Sequence, residues 1–339
     1  MSADTPAPWA PLVDALRADS PIAVLEAAER QLKEILTREL AAELDGPRVR
    51  ALASFQQDLG FLLKYKPYAV KAASPLGYSV FLQRRGEGFS FQQHVTHKTE
   101  IFYILDVQPG GFVFLCDFAD WQRIYRRDTF LAWLNGARDE RYERFKFVPR
   151  PGDVVVIDRL NVVHSVVGCV LAEFATVSTD MVDRLHDQNE GKKIPAEFTR
   201  AFSEGKIRGL TWPATSHRVT LGESGWTREE IRLHPIRGGR KATLGDDERF
   251  SASLIEVEAG GHTEVVSSPD RAISVHIASG TGRLLLGTAD ELHASRPAIG
   301  ARAGDLFLIA PHAHYAFASD GAAPLVVAEH RIAPAVAFV

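Results

Sequence analysis

Two long stretches of the chain alternate short runs of β-branched and aromatic residues with turn residues, and a helical pattern precedes both. In the first stretch Tyr78–Gln83, Ile101–Leu105, Gly111–Cys116, Val154–Ile157 and Val170–Ser178 are predicted strands, because their composition suits a pleated, half-buried surface. In the second, Ser251–Val257, Ala272–Ala278, Arg283–Leu286, Asp305–Ile309 and Leu325–His330 follow the same rule, separated by turns such as Gly260-Gly261 and Gly280-Thr281-Gly282. Many short strands at near-regular spacing predict an antiparallel sandwich or barrel, and two such blocks predict a duplicated barrel. The helical segments do not alternate with the strands, which argues against a doubly wound α/β fold.

Ahead of the strands, Val24, Leu25, Ala28, Leu32, Ile35, Leu36 and Leu40 recur at helical spacing, with Ser20-Pro21 as a start signal and Asp45-Gly46-Pro47 as a stop. A second helix is predicted over about residues 48–64. Inside the first β-rich block, Trp121–Asn135 also reads as helical, with Ile124, Phe130, Leu131 and Leu134 on its apolar face. The expected plan is therefore a helical segment over 1–75, a barrel over 76–185, a linker with connecting strands over 186–245 and a second barrel over 246–339.

Composition narrows the class. The 339 residues are 45% hydrophobic and 24% charged, enough apolar material for real cores. A net charge of −4 gives no electrostatic reason to expect nucleic acid or an anionic membrane as partner. No basic-then-apolar leader pattern opens the sequence and no apolar run approaches the roughly 18 residues of a membrane span, so a cytoplasmic protein is expected. Cys116 and Cys169 sit in apolar, strand-like stretches and read as buried reduced thiols.

The chemistry concentrates in FQQHVTHKTEIFYIL. His94, His97 and Glu100 lie three apart just before a strongly β-forming run, and His164 follows Pro151-Gly152-Asp153 and a hydrophobic strand. Imidazoles with one carboxylate are the ligand set for borderline divalent ions such as Fe, Mn, Ni, Co or Zn. Gln92 and Gln93 are turn residues or donors to a ligand. Alternation in the Glu173-Phe-Ala-Thr-Val run places Glu173 on one face with Ala175 and Val177, where it could point into a cavity. Trp121, Tyr125, Arg126, Arg127, Trp133 and Arg138 form an aromatic, Arg-rich insertion, either a flap over an anionic or aromatic substrate or a solvated helix face.

At these residues the sequence resembles the cupin superfamily. His94 and Glu100 match the spacing of the first cupin motif, while Pro151-Gly152-Asp153 and His164 match the second. The departure is Thr96, where the pattern has its second histidine; either a bulge re-aims His97 inward, or three protein ligands remain. The likeness covers residues 77–182 by motif and 250–332 by architecture. In the second block Ala303-Gly304-Asp305 keeps the turn, but no Glu stands at the right distance from His262, so His262, His312 and His314 read as structural. Glu173 through Arg184, with Ser178-Thr179-Asp180, is similar to the strand-end element of sugar-acting cupins.

The resemblance implies an all-β pair of cupin barrels, that is, double-stranded β-helix jelly rolls, with an N-terminal helical segment. It implies one divalent metal ion per chain on His94, His97, Glu100 and His164, Fe(II) first among the candidates. The first functional expectation is a non-haem iron dioxygenase acting on a small substrate, with Arg126 or Arg127 anchoring a carboxylate. The second is a metal-dependent isomerase or epimerase of a sugar-type compound, with Glu173 as proton-transfer base, and the third is a non-catalytic ligand-binding cupin. A homodimer would suit the N-terminal helices.

Overall fold

The computed structural model of the protein describes residues 62–332, apart from 67–68, 74–76, 84, 87, 89, 96–97, 159, 177–180, 186–208, 247–249, 268–270, 288–297 and 310–313. Its first body opens with β1 (Leu62–Lys66), β2 (Ala69–Ala73), β3 (Tyr78–Leu82), β4 (Phe91–His94) and β5 (Glu100–Asp117). Three short helices follow: α1 (Phe118–Ile124), α2 (Arg127–Leu134) and α3 (Glu140–Glu143). Then come β6 (Lys146–Phe147), β7 (Asp153–Ile157), β8 (Val162–Ala175), β9 (Met181–Leu185) and the hairpin β10 (Ser216–Gly222) and β11 (Gly225–Ile231). Their order is β1-β2-β3-β8-β5-β7-β10-β11, with β4 joining β8 to β9.

The antiparallel ribbon of β5 and β8 shapes this body. Glu100 pairs with Ala175 at one end and Leu115 with His164 near the other. A straight strand would separate residues 100 and 115 by about 50 Å. The ribbon instead folds over where its register slips between Val107 and Phe112. Gly110 (φ +83°) and Gly168 (φ +62°) take left-handed conformations at the fold, and a Cβ on Gly111 would lie 2.6 Å from the Gly168 carbonyl oxygen. Side chains alternate across the folded ribbon. Phe102, Ile104, Leu115, Val155, Ile157 and Leu171 fill its inside. Phe112, Phe114 and Val163 face outward, and there the helices cover them with Trp121, Phe130, Trp133 and Tyr142.

The second body comprises β12 (His234–Ile236), β13 (Gly239–Asp246), β14 (Phe250–Val257), β15 (Val266–Ser267), β16 (Ala272–Ser279), β17 (Thr281–Gly287), β18 (Ala298–Arg302), β19 (Leu306–Ile309), β20 (His314–Ser319) and β21 (Leu325–Ile332). They form a sheet β12-β13-β14-β21-β16-β19 and a sheet β15-β20-β17-β18. The pairing repeats that of the first body: β14-β21-β16-β19 corresponds to β3-β8-β5-β7. Here the ribbon breaks at its fold, where Gly280 (φ +84°) separates β16 from β17. The Gly-Asp turn is also repeated. Arg150 N–H donates to Asp153 Oδ2 at 2.8 Å, and Arg302 N–H to Asp305 Oδ2 at 3.0 Å.

The two bodies pack outer face to outer face. Tyr78, Val80, Ile101, Tyr103 and Phe174 share one apolar cluster with Phe250, Ala252, Leu254 and Ala328. Each fully buried large apolar side chain there stabilises the pair by about 1.5–3 kcal/mol. Two polar contacts register the faces: the Tyr78 hydroxyl and His276 Nδ1 share a hydrogen bond at 2.6 Å, and His330 Nε2 donates to the Ala175 carbonyl at 3.0 Å.

The helix expected over about 48–64 meets β1 at its end, where residues 62–64 are extended and paired with residues 71–73. Cross-strand pairing outweighs the local periodicity there. The rest of that helix, and the one expected from Ser20, lie outside the described residues. The single helix expected over 121–135 is two, because Tyr125 adopts extended backbone between α1 and α2. Among the described residues no helix is long and apolar enough to cross a membrane.

Substituting Gly111→Ala should lower stability by about 2 kcal/mol, read as the urea midpoint, because the ribbon cannot fold past a methyl group pressed on Gly168. Burial pushes the pKa of His276 down to about 3. Between that value and the ordinary 6.5 the unfolded chain binds the extra proton, so stability falls as pH drops below about 6.5. Relative to pH 7, the loss at pH 5 should be about 2 kcal/mol. His276→Gln should remove most of that loss; an unchanged pH dependence in the variant would contradict the assignment.

Candidate metal centre

The fold of the ribbon brings His94, Glu100 and His164 together. Their ligand atoms lie within 4.8 Å of one another, and all three residues are buried. His164 Nε2 is 2.9 Å from Glu100 Oε2, and His94 Nε2 is 3.4 Å from the same oxygen. Two donors each about 2.1 Å from a common ion and at right angles would be about 3 Å apart, so this spacing suits an ion among them.

Hydrogen bonding sharpens the fit. His164 Nδ1 lies 3.1 Å from the Val162 carbonyl oxygen, which can only accept, so Nδ1 carries the proton. In the neutral ring, Nε2 then presents a lone pair to a carboxylate oxygen 2.9 Å away. Two acceptors at that separation require a proton or a cation between them. The Gln92 amide nitrogen lies 3.1 Å from the same nitrogen and can donate to its lone pair when no ion takes it; Gln92 lies on β4 and not in a turn. His94 Nδ1 is buried with no hydrogen-bond partner. Burial lowers the pKa of His94, Glu100 pulls it partly back and Lys98 lowers it again, so the neutral, ligating form is favoured. Burial alone would raise the pKa of Glu100. Lys98, His94 and His164 outweigh it and hold the carboxyl well below the usual carboxylate range.

Each member is held by local structure. His94 ends β4, and its carbonyl accepts from the Asn161 N–H at 3.2 Å. Asn161 has φ +59°, the left-handed conformation that asparagine tolerates better than most residues. Its carbonyl in turn accepts from Phe118 N–H, and its side chain accepts from Gln93. Glu100 opens β5 beside a reciprocal clamp, in which Thr99 N–H donates to Thr176 Oγ1 and Thr176 N–H to the Thr99 carbonyl. Glu173 is buried on the inner face, paired across the ribbon with Phe102, whose ring centroid is 6.0 Å from that of His164.

Sequence reasoning missed Lys98. Its Nζ lies 2.5 Å from Glu100 Oε1, 3.4 Å from His94 Nε2 and 3.8 Å from Glu173 Oε1. A lysine two residues before a strand reads as solvated, and only the closed barrel turns it inward. Asn161 was missed as well; an Asn ahead of a β-run is its one sequence signal.

Thr96, His97, Ser178, Thr179 and Asp180 lie outside the described residues, as does His312. The arginines expected over a substrate do not join the cluster. Arg126 and Arg127 sit at the start of α2, in the helical layer on the outer face of the ribbon, and Arg126 donates to the Tyr125 carbonyl at 2.7 Å. Trp121 and Trp133 are buried in that layer, with Trp133 Nε1–H donating to Glu143 at 2.7 Å, so the aromatic residues of the insertion are a core. Exposed apolar rings gain more against Phe112 and Phe114 than over an open mouth.

Register identifies the corresponding positions in the second barrel. Glu100 pairs with Ile157 and Ala175, whereas Ile273 pairs with Ile309 and Arg331. His164 pairs with Gln92 and Leu115, whereas Tyr315 pairs with Val266 and Leu286. Ile273 and Tyr315 therefore stand where Glu100 and His164 stand. Glu329 takes the place of Glu173, but Tyr315 donates to its Oε2 and Arg331 to its Oε1 at 2.8 Å, so that carboxylate is already satisfied. His314, one residue out of phase, takes the outward position of Val163.

Elemental analysis of the purified chain loaded with Mn(II), Co(II) or Fe(II) should find one ion per chain. Glu100→Gln or His164→Ala should reduce uptake at least tenfold; two ions per wild-type chain would contradict the assignment of Ile273 and Tyr315.

No family model matches the chain, and no curated protein does. Among solved structures it is similar to oxalate decarboxylase from Bacillus subtilis at pH 4.6, with 14% identity and a TM-score of 0.48, over 81% of this chain and 74% of that one. It is also similar to a Lactobacillus farciminis oxalate decarboxylase formate complex, with 12% identity and a TM-score of 0.45, over 81% and 84%. The Schizosaccharomyces pombe Cnp3 cupin domain matches at 15% identity and a TM-score of 0.27, over 36% and 89%. These are distant likenesses of shape. By the repeated folded ribbon, the Gly-Asp turn kept in both halves and the meeting of Glu100 with His164, the chain has the fold of a double cupin.

Proposed function

We propose that the protein is a metal-dependent isomerase or epimerase acting on a small hydroxycarbonyl compound of the sugar type. The observation that carries this reading is the buried carboxylate of Glu173, on the inner face of the barrel and linked through Lys98 to Glu100. His94, Glu100 and His164 would hold the ion, with His97 as a fourth candidate. Such an ion, when bound, acts as a Lewis acid that polarises a carbonyl. Glu173 would then take a proton from the carbon beside that carbonyl and return it, as a base fixed in a dry pocket can. Phe102 and Leu171 pack on the same face and make the surroundings of Glu173 apolar.

A second reading, a non-haem iron dioxygenase, is favoured by the ligand set itself, since two histidines and one carboxylate also serve that chemistry. It ranks below the first because oxygen chemistry has no need of a buried second carboxylate, and because Arg126 and Arg127 offer no anchor inside the barrel. A non-catalytic ligand-binding cupin would retain the ion without turnover.

The readings separate in one experiment. The metal-loaded protein, incubated with a panel of aldoses and ketoses in deuterated water, should place deuterium at the carbon next to the carbonyl without consuming oxygen. Glu173→Gln should reduce that incorporation by about 10²-fold or more while metal content stays unchanged. Oxygen uptake with no deuterium incorporation would favour the dioxygenase instead.

A further inference from the structure

Lys98 touches two of the three candidate ligand residues: His94 at the ring nitrogen that faces the centre, and Glu100 at the carboxylate oxygen that the histidines leave open. Its Nζ is 2.5 Å from Glu100 Oε1 and 3.4 Å from His94 Nε2, and the side chain is 12% exposed. An ammonium group has three donors and no lone pair, so it cannot itself join a coordination sphere. It can only occupy carboxylate charge that a divalent ion would otherwise use. A second carboxylate, Glu173 Oε1, lies 3.8 Å from the same nitrogen and gives the ammonium an alternative partner inside the barrel. The four-carbon stem of lysine allows such a shift without movement of the strands.

We propose that Lys98 is a resident counter-cation of this centre, competing with a divalent ion for Glu100 and setting how tightly that ion is held. The inference rests on reading His94, Glu100 and His164 as a metal site. Uptake of the ion moves the ammonium from Glu100 towards Glu173, so that one lysine serves the two carboxylates in turn. The site is then poised for reversible loading, and its affinity is lower than the two histidines and Glu100 would give alone. A lysine placed only to offset the burial of Glu100 would behave otherwise: its removal would lower stability and leave affinity unchanged or weakened.

The test uses the full chain, stripped with a chelator and titrated with Co(II) alone, with the visible d–d bands and the rise in Tm as readouts. Lys98→Met and Lys98→Gln should each bind Co(II) at least tenfold more tightly than wild type, and each should gain more in Tm on adding the ion. Two neutral variants are specified because burying Glu100 and Glu173 beside a methionine could prevent folding, whereas glutamine can still donate to Glu100. Equal or weaker binding by the folded variants, with wild type binding one equivalent, would overturn the role of Lys98 and leave the metal site standing. Binding by the variants and none by wild type would support both. If no form takes up Co(II), the metal reading fails and this inference fails with it.

Discussion

The folded β5–β8 ribbon is the constraint on which the rest of the molecule depends. Glu100 and His164 belong to strand positions that a flat sheet would hold far apart, and they meet only because the ribbon doubles over at Gly110, Gly111 and Gly168. A β-sheet twists gradually under its own sterics, so a sharp reversal needs residues that accept left-handed backbone and close approach. The bend therefore creates the barrel interior and the candidate metal centre in one step. Among the described residues, the polar groups of the centre come from the inner face of that ribbon, from β4 beside it and from Lys98 between β4 and β5.

Within the cavity the electrostatics are tightly balanced. A buried carboxylate is costly unless cations or donors surround it. Glu100 meets that requirement with Lys98 and two imidazoles, which is why it stays ionised despite complete burial. The same arrangement turns the lone pair of His164 towards an oxygen that also needs a positive partner. Such a cluster of buried charges suits an ion-binding shell better than a purely structural core, where packed aliphatic side chains would serve.

The second barrel shows the alternative outcome of the same architecture. With Ile273 and Tyr315 at the positions of Glu100 and His164, the described part of its interior holds a tyrosine–glutamate–arginine set. Its outer face presents His330 to the carbonyl of Ala175, two residues beyond Glu173 and directly across from Glu100. The first barrel thus has its site strand braced from outside by the second, and the Tyr78–His276 contact fixes the register of the two faces.

Much of this was legible in the amino-acid sequence. Strand composition marked both β-rich blocks, the spacing of His94 and Glu100 with Pro151-Gly152-Asp153 and His164 marked the candidate centre, and the second block shows no acid where Ile273 stands in the register of Glu100, because these signals are local and periodic. What the tertiary structure alone decided depends on closure. Whether Lys98 faces water or a carboxylate, whether the aromatic insertion covers the mouth or the outer wall, and which residue of the second barrel replaces His164 are questions of register and sidedness. A strand's sequence fixes which residues share a face, but only pairing across long separations decides which face becomes the inside.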